Sequence, residues 1–165
     1  NIVLTGFMGS GKSSVGAALA AVLGRRFVDT DAVIAERYGP IPAIFAEHGE
    51  AAFRTREQEL ADELAGETAL VVSTGGGMLI DPAIAERFES SGRVFCLTAS
   101  PATTIARVRA DGIVDRPLLD TADPEARVAE LLAERSEAYA RFEAVPTDGR
   151  TVAEIVDDIL VRIRG

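Results

Sequence analysis

The chain has 165 residues, 47% hydrophobic and 26% charged, which is the size and make-up of one folded domain and excludes a collagenous or low-complexity chain. Seventeen basic against 26 acidic residues give a formal charge of −9, so the overall field repels nucleic acid and anionic membranes. One cysteine, Cys96, and one histidine, His48, leave no internal disulfide and almost no nitrogen or sulfur ligation of a metal.

The first apolar run, residues 2–5, reads as a strand and leads directly into Gly6-Phe7-Met8-Gly9-Ser10-Gly11-Lys12-Ser13. Its Gly6, Gly11, Lys12 and Ser13 fit G-x-x-x-x-G-K-[ST] between a strand and a helix, the context a phosphate-binding loop needs. A chance match in a chain of this length has a probability of roughly 1% before that context is required. The glycines let backbone N–H groups turn inward around phosphate oxygens, and the positive end of the following helix adds to them. Lys12 would bridge the β and γ phosphates, and the Ser13 hydroxyl would ligate Mg²⁺. Lys12 is also the only lysine in the chain; every other basic residue is arginine. That rules out the Asn-Lys-x-Asp sequence with which GTPases read guanine, so a guanine switch is disfavoured.

Residues 12–23 read as a helix with Val15, Leu19, Val22 and Leu23 on its apolar side, stopped by Gly24. A second strand at 27–29 ends on Asp29-Thr30-Asp31, two carboxylates where loops after parallel strands line a ligand crevice. One would hold the hydration shell of Mg²⁺ and the other would accept a proton from a nucleophilic hydroxyl; alternatively Asp31 or Thr30 caps the next helix, at 31–38. Residues 39–49, with two prolines, read as irregular. The helix predicted at 50–64 carries Arg54 and Glu57 on one face, where the pair either aims an arginine fork at a carboxylate ligand or forms a solvated surface pair.

A third strand at 69–73 precedes Gly75-Gly76-Gly77, either a plain turn or a place where a ligand touches main-chain amides. A helix at 82–89, a strand at 93–98 and a helix at 100–109 follow. Residues 110–123, with four aspartates, a glycine and a proline, read as a mobile surface loop carrying Arg116-Pro117-Leu118-Leu119. Helices at 124–139, which brings Arg135 and Tyr139 to one face, and at 152–164 complete the set. Short strands alternating with helices predict an α/β fold with a parallel sheet, its crossovers long enough to return right-handed.

Taken together, the phosphate loop, Phe27-Val28-Asp29-Thr30-Asp31, Ile44-Phe45 through Gly49-Glu50, Phe53-Arg54 with Glu57, the three glycines, Arg116-Pro117-Leu118-Leu119 and Arg135 with Tyr139 resemble shikimate kinase over essentially the whole chain. The resemblance implies a P-loop three-layer α/β/α fold of five parallel strands in the order 2-3-1-4-5, one kinase domain over 1–165, an acceptor-binding insertion at about 31–60 and a lid at about 110–123. It implies ATP-dependent phosphorylation of the 3-hydroxyl of shikimate, with Mg²⁺. ATP would be held by Gly9, Ser10, Gly11, Lys12, Ser13, Ser14, Arg109 against the adenine, Arg116 over the phosphates and Arg150. Asp31 would meet the acceptor hydroxyls, and Ser13 and Asp29 would serve the metal. Arg54 and Arg135 would grip the carboxylate, Glu57 would steady Arg54, and Gly75, Gly76 and Gly77 would supply backbone contacts. The expected partners are ATP and shikimate alone, without nucleic acid or membrane. A cytoplasmic location is expected, since no signal peptide is visible, and a monomer, since the resemblance implies one and no exposed apolar stripe is obvious. His48 reads as a surface residue at a helix end and Cys96 as a buried strand residue.

Overall fold

A computed structural model describes residues 1–110 and 122–165. Five strands, β1 (Ile2–Thr5), β2 (Arg26–Asp29), β3 (Leu70–Ser73), β4 (Arg93–Thr98) and β5 (Glu143–Pro146), form one sheet in the order β2-β3-β1-β4-β5, every pair parallel. This is the order expected. Side chains alternate through the central strand: Val3 points to one face of the sheet, Ile2 and Leu4 to the other.

Each face is closed by helices. On the Ile2 and Leu4 side, α1 (Lys12–Leu23) and α8 (Val152–Arg164) bury Val15, Leu19, Ile155 and Ile159 against Phe95 and Leu97. On the Val3 side, α2 (Thr30–Tyr38), α3 (Ile41–Ala65) and α4 (Pro82–Ser91) bury Ile34, Phe53, Leu60 and Phe88 against Val28, Val72 and Cys96. Phe7 joins α5 (Pro101–Ala110) and α6 (Pro124–Glu134) in a third, smaller core with Ile105 and Val128. The short α7 (Ser136–Ala140) leads into β5.

Three expectations need correction. Residues 39–49 are mostly helical: α3 starts at Ile41, because Pro40 stands at its N-cap and Pro42 in its first turn, where no N–H is needed. The break comes at Gly49, whose φ of 78° is left-handed, so His48 does end a helical run. In α1 the buried arc is centred on Gly16, Leu19 and Ala20, which leaves Val22 at its edge and 63% exposed. The predicted helix at 124–139 is two, parted at Arg135.

Because β1 lies between β3 and β4, chain direction divides at its carboxyl end, and a crevice opens there. Phosphate loop, three-glycine turn and the start of α2 all meet at that point.

Candidate active site

A cleft of about 600 Å³ opens over the end of β1, lined by residues 8–15, by Asp29 and Asp31, by Thr74 and Gly76, and by Arg107, Arg150 and Val152 on the far side. The loop that floors it depends on glycine at two points. Gly6 has a φ of 132° and a Cβ there would overlap the Leu97 carbonyl oxygen; Gly11, with φ 94°, is the N-cap of α1 and offers no side-chain cap. The first amides of α1 are therefore left for a ligand. Lys12 Nζ donates to Phe7 O at 2.9 Å across the base of the loop, and burial lowers its pKa to about 8 against the pull of Asp31 and Asp29. An anion placed in the loop would restore the charge.

Ser13 Oγ donates to Asp29 Oδ2 at 2.6 Å, while Asp29 Oδ1 accepts from the amides of Asp31 and Ala32 at 3.1 and 3.2 Å. The cap of α2 is thus Asp29, not Asp31 or Thr30, and capping fixes the carboxylate beside the serine. A hydroxyl and a carboxylate at that spacing suit Mg²⁺, which completes its shell with waters and substrate phosphates and needs no cage of protein ligands. Among the described residues no three His, Cys, Asp or Glu side chains converge as such a cage would require.

The acceptor side is assembled from four elements around the glycine turn. Gly75 N donates to Thr30 Oγ1 at 2.9 Å, docking the turn on α2. A Cβ on Gly75 would lie 2.5 Å from Asp31 Oδ1, one on Gly76 3.7 Å from Arg135 Nη1, and one on Gly77 3.1 Å from Arg54 Nη1. Gly75 and Gly77 thus yield their space to a charged group, Gly76 is bounded first by Gly6 O at 3.4 Å with Arg135 in ordinary contact beyond it, and three groups scattered through the sequence face one short stretch of backbone.

Arg54 donates to Glu57 Oε2 at 2.6 Å and to Glu50 Oε1 at 3.1 Å, which sets the direction of its fork. Glu57 is 1% exposed; burial raises its pKa and the bond from Arg54 opposes the rise. Arg135 lies over the Phe7 ring at 5.2 Å, and Tyr139 Oη donates to Gly76 O at 2.7 Å. Asp31 is pushed up by burial and by neighbouring Asp29, and is held back by Lys12 and Arg54, so its carboxyl senses both halves of the site.

The nucleotide side departs from expectation in detail. Arg150 lines the cleft, but its guanidinium is engaged with Pro146 O, Glu154 O and Asp158. Arg109 is exposed on α5 and is not part of the cleft lining; Arg107, which the sequence reading did not single out, is. Arg116 and most of the expected lid lie outside the described residues.

The family model for shikimate kinase matches residues 8–164. The chain belongs to the shikimate kinase family. A shikimate kinase of Geobacter metallireducens is 42% identical over 100% of this chain and 92% of its own length. The solved structure of shikimate kinase from Acinetobacter baumannii in complex with shikimate superposes with a TM-score of 0.90 at 36% identity, covering 99% of this chain and 92% of that one. A gluconokinase structure from Sinorhizobium meliloti, 22% identical with a TM-score of 0.66 over 99% of this chain and 91% of its own, shares the fold. As a shikimate kinase family member the protein is a phosphotransferase with an alcohol group as acceptor. No helix among the described residues is long and apolar enough to cross a membrane.

Proposed function

We propose that the protein transfers the γ-phosphoryl group of ATP to the 3-hydroxyl of shikimate, giving shikimate 3-phosphate and ADP. The observation that carries this reading is the meeting of Asp31, Arg135 and Arg54 on three successive glycines, opposite a phosphate loop. Two arginine forks match a carboxylate acceptor, and a carboxylate beside Lys12 matches a hydroxyl nucleophile.

Phosphoryl transfer asks the protein mainly for position and positive charge. The loop amides and Lys12 hold the β and γ phosphates, and Lys12 follows the charge that gathers on the oxygens in flight. Arg54, aimed by Glu57 and Glu50, and Arg135, braced on Phe7, hold the acceptor carboxylate so that the ring presents its hydroxyl to Asp31. Asp31 accepts the hydroxyl hydrogen bond and orients the nucleophile; burial keeps the carboxyl proton-hungry for that task. Ser13 and Asp29 would hold Mg²⁺, which when bound neutralises phosphate charge. On this reading residues at about 31–60 serve the acceptor within a single kinase domain, and Arg116 closes over the phosphates.

The test is ADP release with ATP and Mg²⁺, comparing shikimate with gluconate, AMP, CMP and no acceptor. Release is expected with shikimate alone. Equal release with another acceptor would overturn the substrate assignment and leave the phosphate-loop roles in place.

A further inference from the structure

Arg107, near the end of α5, joins the two ends of the cleft. Its Nη1 donates to Gly9 O in the phosphate loop at 3.1 Å and to Thr147 Oγ1 at 2.9 Å, and its Nη2 donates to Thr147 O at 2.8 Å. Thr147 is fully buried and opens the turn between β5 and α8, at the end of the cleft away from the acceptor.

Each end is secured without Arg107. The turn is fastened to β4 by Thr147, whose N and Oγ1 both donate to Thr98 O, at 2.9 and 3.0 Å. It is fastened to the start of α5 by Asp148, which accepts from Ser100 N at 3.0 Å and from Ser100 Oγ at 2.7 Å. The phosphate loop is shaped by its own glycines and by the Lys12 bond to Phe7. What Arg107 adds is the link between them, three bonds from one planar guanidinium.

We propose that Arg107 is a positioning residue that holds the phosphate loop and the turn at Thr147 in register, so that a nucleoside triphosphate engages both ends of the cleft at once. The proposal rests on the ATP-binding reading of the phosphate loop. A ligand that spans both ends gains from a fixed separation because less ordering remains to be done on binding. A ligand that occupies the phosphate loop alone gains nothing from it. Lysine could not replace the residue, since a single ammonium does not reproduce two nitrogens in a rigid fork.

The experiment uses the full chain and its Arg107→Ala, Arg107→Lys and Thr147→Val variants. It compares the Kd of ATP with that of inorganic tripolyphosphate, both with Mg²⁺, by calorimetry, alongside KM for ATP, KM for shikimate, kcat and thermal midpoint. In Arg107→Ala the Kd and KM for ATP are expected to rise about tenfold, equivalent to about 1.4 kcal/mol. The Kd of tripolyphosphate, kcat and KM for shikimate should stay close to those of the parent, because the loop keeps its own glycines and the Lys12 bond to Phe7. Arg107→Lys should not restore ATP affinity, and Thr147→Val, which removes one acceptor of three and one of the two bonds to Thr98 O while leaving the backbone bond in place, should move it the same way by less. Proportional weakening of ATP and tripolyphosphate would overturn the proposal and reduce Arg107 to a support of the loop, as would unchanged ATP affinity in Arg107→Ala. If Arg107→Ala does not fold, the ratio in Thr147→Val decides on the same terms. A parent chain that binds ATP tightly but phosphorylates no shikimate would defeat the proposed reaction, while the binding ratio would still decide the role of Arg107.

Discussion

The phosphate half of the site is one continuous stretch, residues 6–14, that makes a loop and starts a helix; the acceptor half gathers Asp31, Arg54, Glu57, the three glycines and Arg135 from α2, α3, a turn and the junction of α6 with α7. The first is a local conformation, written by glycines whose φ angles few other residues accept. The second is a tertiary coincidence, in which no member means much until the fold has brought it to the others. Local motifs therefore identify the donor, and only the assembled structure gives weight to each acceptor residue.

If the halves are as separable as this, they should fail separately. The largest effect is expected from Lys12→Met, which should lower kcat about 10³-fold, the scale for losing one charge-stabilising donor, while shikimate still binds. Isothermal titration with shikimate beside the rate assay checks both. Arg54→Ala should reduce kcat/KM for shikimate about 10²-fold and leave the Kd of ATP nearly unchanged, because it removes one of the two forks that face the acceptor carboxylate. Intact turnover in that variant would take Arg54 out of the site, and equal damage to ATP binding would erase the division between halves. Gly75→Ala comes next. Its Cβ would press on the Asp31 carboxylate, 2.5 Å from Oδ1, and a displacement of that kind should cost between about 10-fold and about 10²-fold in kcat with little change in ATP affinity.

The smallest effect is one of stability. Burial holds the Glu57 carboxyl above its ordinary value of 4.5, so between that value and its folded one the native state binds more protons than the unfolded chain. Stability from this group is full below the ordinary value and is lost as pH rises through the raised one. Glu57→Gln has no such loss, so its thermal midpoint should gain on that of the parent as pH rises from 4.5 through the raised value. A constant difference across that range would mean that Arg54 offsets the burial completely.

The same contrast explains what could be read from the chain before its structure. Alternating apolar runs announced the sheet, and α1 and α8 begin and end where their flanking residues predict. Residues 39–49 read as a loop because prolines signal loops, although at the first turn of a helix they cost nothing. Asp29, Thr30 and Asp31 all have the chemistry to cap α2; the structure gives that place to Asp29, whose Oδ1 accepts from the amides of Asp31 and Ala32 while Oδ2 accepts from Ser13, and leaves Asp31 to the cleft. Arg107 gave no sequence signal at all. Its partners are Gly9 and Thr147, about a hundred residues before it and forty after, and nothing in local spacing distinguishes it from Arg109, which faces outward.

A chain with a single lysine also carries its own spectroscopic probe. Isotopic labelling of lysine alone would give one side-chain amine signal, that of Lys12, from a place where the nucleotide phosphates are expected. Its titration midpoint in the free protein should fall near 8 and climb when an anion enters the loop. Arrival and departure of the phosphate cargo, and each turnover between them, would then be followed by one resonance with no background and no foreign label.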